Sequence, residues 1–137
     1  MKRNLIGTLS LVVLSICSAI GAYAQTITKG DVPFSFMAGG KELPAGQYAV
    51  SANGMSSIYI TNLETGKSIL SLVRPELPNT SSPKLVFHHY GNQYFLAEVW
   101  GAEGRVGMVA PPSKLEKELR MASGSKPDLG EVVIALK

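Results

Sequence analysis

The run of residues 84–101, KLVFHHYGNQYFLAEVWG, constrains this chain more than any other stretch. It holds both histidines, the single tryptophan and four of the nine Phe and Tyr residues. Two apolar runs flank Gly91-Asn92, a two-residue turn with glycine at its first central position. That pattern predicts a β-hairpin with a primed turn. Tyr90 then faces Gln93, His89 faces Tyr94, His88 faces Phe95 and Phe87 faces Leu96. Strict alternation puts Val86, His88, Tyr90, Phe95, Ala97 and Val99 on one face. Leu85, Phe87, His89, Tyr94, Leu96, Glu98 and Trp100 take the other. Both faces are mostly apolar, so the hairpin is expected to be covered on both sides near its middle. A bulge that shifts one strand's register is the alternative.

The residues of this hairpin with chemistry to offer are His88, His89, Tyr94, Glu98 and Trp100. They are the candidate ligand or contact residues. Neighbours in a strand point to opposite faces, so His88 and His89 cannot hold one metal ion together. On strict alternation Glu98 shares the His89 face but stands roughly 10 Å away. No metal site and no cofactor are expected. The plainer expectation is one histidine partly buried with a hydrogen-bond partner and the other solvated. Trp100 and the tyrosines are expected in the core.

Residues 1–24 read as an export signal. Lys2 and Arg3 form the positive start, residues 5–20 an apolar run, and Ala22-Tyr23-Ala24 a cleavage site before Gln25. The apolar run is shorter than a membrane span, and no second one follows. Ile16 is bulky where acylation of Cys17 wants a small residue. The expected mature chain, residues 25–137, is a single β domain without cysteine, periplasmic or secreted, with no membrane span. Loss of Lys2 and Arg3 lowers the formal charge from +3 to +1. The remaining basic residues are scattered, which gives no support for nucleic-acid binding.

The rest of the chain shows short strands at intervals of roughly 8–12 residues. Residues 32–37 alternate as a first or edge strand. Gly39-Gly40 is a turn, and Pro44-Ala45-Gly46 fits a type II turn. Strands follow at 47–51 and 55–62, around the hairpin signal Asn53-Gly54. After a turn at 64–66 comes a strand at 68–74. Residues 75–83, PELPNTSSP, read as a loop, first as a plain connector over one end of the sheet and otherwise as the candidate for a mobile contact segment. A turn at 101–104 leads to a short segment, 105–110. Ser113-Lys-Leu-Glu116 is then a capping box. Leu115, Leu119 and Ala122 make the apolar stripe of a short helix that must lie on the sheet. It could close a barrel end or cover the outer face of the hairpin. Gly124 suits its end. Residues 131–136 form a last strand with Val132, Ile134 and Leu136 on one face. The expected fold is mainly β: a small antiparallel barrel or sandwich of about seven strands with one short C-terminal helix packed on it.

Two resemblances follow from these motifs. Leu43-Pro-Ala-Gly-Gln-Tyr-Ala-Val50 resembles the turn-and-strand of carboxypeptidase-regulatory-like β-sandwich domains. The wider series runs from Val32-Pro-Phe-Ser-Phe through Leu43-Pro-Ala-Gly and the hairpin to the Ser113 helix. It is similar to a group of small exported β-rich proteins of soil bacteria, acidobacteria especially. That resemblance implies export and a shared fold, and it carries over no activity and no site residue.

Motifs of catalysis are missing from the sequence: there is no G-x-S-x-G, P-loop, G-x-G-x-x-G after a strand or H-E-x-x-H. The expected function is a non-catalytic binding or interaction module of the cell envelope. It would use a sheet face, a barrel mouth or a sheet edge toward a protein or a small apolar ligand. A structural or stress-related envelope protein acting through assembly is the alternative, and an enzyme is the least supported. A buried apolar cavity under Phe87, Phe95 and Trp100 would favour a small ligand.

Overall fold

The computed structural model describes residues 28–77, 82–101, 107–123 and 130–137. The expected export signal, the middle of the proline-rich stretch, most of the turn at 101–104 and Gly124 lie outside them. The chain is mainly β with one short helix, as its spacing implies. A first antiparallel sheet has the order β1-β4-β5-β6, formed by Thr28–Val32, Gly46–Ala52, Ser57–Asn62 and Ser68–Leu72. A second has the order β11-β8-β9-β10-β7, formed by Gly130–Ala135, Lys84–Tyr90, Gln93–Trp100, Gly107–Val109 and Arg74–Glu76. The hairpin β2–β3, Phe36–Ala38 and Lys41–Leu43, joins the second sheet through a parallel bridge between Met37 and Phe95.

The core lies between the sheets. Tyr48, Ile58 and Ile60 of the first meet Leu85, Phe87 and Leu96 of the second. Alternation explains who is inside: Ile58 and Ile60 are 0% and 2% exposed, while Tyr59 between them is 41% exposed. Phe36 stands edge-on to both Tyr48 and Phe87, with ring centroids 5.1 and 5.2 Å apart. Val132, Ile134 and Leu136 share the inner face of β11, as their spacing predicts.

Several expected elements are redrawn. The run 32–37 is not one strand. β1 ends at Val32, Pro33-Phe34-Ser35 carry no ladder, and β2 begins at Phe36 in the other sheet. The segment before Tyr48 is no type II turn, because Gly46, at φ 157°, already belongs to β4. Tyr48 organises this corner instead. Its hydroxyl donates to the Pro44 carbonyl at 2.5 Å and accepts from Asn62 Nδ2 at 3.1 Å. Asn62 Oδ1 in turn accepts the Glu64 and Thr65 amides, fixing the β5–β6 turn. The run 68–74 is split at buried Val73, where the chain leaves the first sheet and enters the second as β7. Pro75 and Glu76, read from sequence as loop, are in β7, an edge strand where a proline costs no ladder bond.

The two sheets close onto each other on one side only. Lys29 and Lys137 exchange both backbone bonds, at 3.1 and 2.9 Å, and so stitch β1 to the end of β11. On the opposite side β6 has β5 as its only strand partner among the described residues. The fold is therefore a curled sandwich with one open seam.

Candidate functional site: the capped hairpin and the open seam

The central hairpin forms with the register that its turn predicts. Tyr90 pairs Gln93, His89 pairs Tyr94, His88 pairs Phe95 and Phe87 pairs Leu96. The next pair is Val86 with Glu98, so Ala97 is a bulge with no residue opposite it. The extra residue inverts the alternation beyond it. Val99 turns into the inter-sheet core with Leu85 and Phe87. Glu98 and Trp100 turn to the outer face with Val86, His88 and Tyr90. Glu98 therefore does not share a face with His89, as strict alternation had it. Phe87 lies on the opposite face from Phe95 and Trp100, so these three rings do not enclose one cavity of the kind that would favour a small ligand.

The five candidate residues fall into two groups. On the inner side, Tyr94 stacks on His89 at 4.3 Å and on Phe34 at 3.9 Å. His89 is thus half-buried in a ring stack, rather than solvated. On the outer side, the Trp100 indole is 3% exposed and its Nε1–H donates to Glu98 Oε2 at 2.7 Å. The face of that indole rests on Gly107. A Cβ at position 107 would overlap the six-membered ring.

His88 is held by the helix α1, Lys114–Ala122. Half of the expected capping box forms: Ser113 Oγ accepts the Glu116 amide at 3.1 Å, while the Glu116 carboxylate turns to the hairpin. The helix does cover the outer face of the hairpin, but not by the expected stripe. Leu119 of that stripe is half-buried, but Leu115 is 39% exposed and Ala122 is exposed, while Glu116 is buried at 4%. The reason is the polar face beneath it. His88 Nδ1–H donates to Glu116 Oε1 at 2.9 Å, and the Tyr90 hydroxyl donates to the same oxygen at 3.3 Å. Arg120, one turn on, donates from Nε to the Tyr90 oxygen at 3.5 Å. The hydrogen bond from His88 favours the imidazolium and raises the pKa of His88 above its ordinary 6.5. Burial opposes the rise; the charges of Glu116 and of Glu131, the cross-strand neighbour, add to it, and Arg120 subtracts. Glu116, Tyr90 and Arg120 are the members that the sequence reading missed. Their signal was present: Glu116 and Arg120 are four apart on one helical face, and His88 and Tyr90 are two apart on one strand face.

No hydroxyl or thiol side chain among the described residues makes a hydrogen bond to His88 other than through Glu116. Nor do three or more His, Cys, Asp or Glu side chains among them gather as a metal cluster would need. The cluster is thus equipped to hold a helix on a sheet and to move one proton.

The open seam lies beside it. A groove of about 260 Å³ runs between β6 and the β2–β3 turn, walled by Met37, Leu70, Leu72, Phe95 and Ala110, with Glu116 at one end. Hydrogen bonds from Val73 N to Ser56 O and from Asn62 N to Lys67 O fix which β6 residues face β5. They are Lys67, Ile69, Ser71 and Val73; the backbone groups of Leu70 and Leu72 point the other way, toward the seam.

Comparison of the chain with family models, with curated proteins and with solved structures gives no match. No helix among the described residues is long and apolar enough to cross a membrane.

Proposed function

We propose that this chain is exported and works in the periplasm or outside the cell as a non-catalytic interaction module, with the seam beside β6 as its contact region. The observation that carries this reading is the edge of β6. Leu70 and Leu72 border a groove of mixed lining with side chains 48% and 68% exposed, and Gly39 of the β2–β3 turn stands against the Leu70 carbonyl. Sheet edges and the grooves beside them are binding surfaces for other molecules. The export part rests on the residues 1–24 pattern. The non-catalytic part rests on the missing catalytic motifs of the sequence and on the role of the His88 cluster in docking α1.

The test expresses the full chain in a bacterium with two membranes and fractionates the cells. The expected product is a periplasmic or secreted protein whose mass begins at Gln25. A photo-crosslinker placed at position 72 should then capture a partner that the same group at position 117, on the wet face of α1, does not. Unprocessed protein retained in the cytoplasm would overturn the export reading. Equal capture from both positions would overturn the seam as contact region.

A further inference from the structure

The groove beside β6 has walls of two kinds. The β6 side, the β2–β3 hairpin and the floor at Phe95 and Leu96 belong to paired strands. The remaining wall is Ala110, Pro111, Ser113 and Glu116, the lead-in to α1 and its first turn. Ala110 is pinned, its amide donating to the Ala97 carbonyl at 2.8 Å. Pro111 and Pro112 then have no amide hydrogen to give the sheets. Beyond them, the hydrogen bonds that hold this wall come from two side chains: Glu116 meets His88 and Tyr90, and Arg120 meets Tyr90. Apolar packing adds the half-buried Leu119, while Leu115 and Met121 are exposed.

Resting on the reading of the seam as contact region, we propose that His88 and Glu116 form a latch that sets the width of the groove. With the imidazole protonated, the α1 wall is shut against the hairpin. With it neutral, the wall swings out from Ala110 and the seam widens.

Charge is what makes this contact a latch. Glu116 is 4% exposed, and a carboxylate so placed needs a counter-charge or water. Protonated His88 supplies the charge. The neutral ring still offers an N–H but no charge, and the carboxylate then gains by moving toward solvent. The other groups around His88 do not replace it. Arg120 reaches the Tyr90 oxygen rather than Glu116, and the Tyr90 hydroxyl donates without charge. Glu131, opposite His88 on β11, is a second negative charge. Glu98, on the same outer face, is taken by the Trp100 indole. Because Glu116 raises the pKa of His88 above its ordinary 6.5, the latch stays closed past that value and releases as pH climbs further.

The expected mature chain has no cysteine, since Cys17 lies in residues 1–24, so one engineered thiol reports one place. Ser71→Cys puts it in the groove, at a position 4% exposed. Thr28→Cys, likewise buried but on the closed side, is the control. Each protein is alkylated with iodoacetamide on either side of the His88 titration, which is followed by the imidazole NMR signals. Rates are divided by the thiolate fraction, read from ultraviolet absorbance, because the thiolate is the nucleophile. The thiol at position 71 should react several-fold faster above the His88 pKa than below it, with its midpoint at that titration. The thiol at position 28 should not change, and in His88→Gln the rise at position 71 should vanish. Ala38→Cys, on the opposite wall of the groove, gives the same reading if the first variant does not fold. A flat rate in the groove, or a midpoint away from the His88 titration, overturns the latch and leaves the seam standing as contact region. A matching rise at position 28 means that the whole sandwich opens, and overturns it too. No partner is needed for these rates, so a crosslinker at position 72 that captures nothing bears on the contact reading alone.

Discussion

His88 Nδ1 lies 2.9 Å from Glu116 Oε1, and through that contact the only helix among the described residues is fastened to the central hairpin. The partner is a carboxylate with little solvent around it, buried more deeply than either leucine of its helix. The docking of α1 is therefore tied to a protonation state. The pKa of His88 is raised by its hydrogen bond to Glu116. A raised value means that the folded protein holds the proton more tightly than the unfolded chain. The stabilisation is fully present below about 6.5, the unfolded value, and is lost as pH climbs through the folded one. Hydrogen exchange should show α1 amides losing protection across that rise, with β4 and β5 unchanged. In His88→Gln the step should disappear.

Removing one partner of the pair is predicted to cost more than removing an exposed pair. His88→Ala leaves Glu116 buried with Tyr90 alone and should destabilise by about 1–3 kcal/mol in urea unfolding. Lys114→Ala breaks an exposed 3.9 Å ion pair with Glu118 and should change stability by less than about 0.5 kcal/mol. Equal effects would mean that Glu116 is not what docks the helix.

Trp100→Ala should destabilise by about 3–5 kcal/mol, because the indole is buried at 3% exposure. Gly107→Ala tests the same contact from the other side. Its methyl would have to displace the ring, at a cost of about 1–3 kcal/mol. The double variant should cost less than the sum, since removing the indole makes room for the methyl.

Tyr48→Phe keeps the ring that Phe36 packs against and removes only the hydroxyl between Pro44 and Asn62. The loss should be about 1–3 kcal/mol, with the amide signals of Glu64 and Thr65 shifted. A variant as stable as the parent would show that the corner is held by packing alone.

The hairpin was legible in the sequence as far as the turn governs it. A two-residue loop fixes register outward from itself, and the four pairs nearest Gly91-Asn92 are those that the loop dictates. It fails at Ala97, where an extra residue enters with no glycine to announce it. Period-two reading cannot see such an insertion, so Glu98, Val99 and Trp100 were put on the wrong faces. Helix α1 was legible in position, from Ser113 and Glu116, but not in orientation. A stripe of leucines points inward only if the surface below is apolar, and here His88 and Tyr90 make it polar. The break at Val73 was hidden for a third reason. Residues 68–74 are one continuous extended run, and nothing local distinguishes the piece that pairs with β5 from the piece that pairs with β10.

Because Trp100 is the single tryptophan, and because it is seated on Gly107 with its indole N–H bound to Glu98, the molecule carries its own fluorescent gauge at one known corner. That gauge sits away from the His88 contact that docks α1. Emission colour therefore tracks whether the hairpin is intact, while far-ultraviolet ellipticity tracks the helix. If α1 lifts off alone as pH rises, the second signal moves and the first stays still.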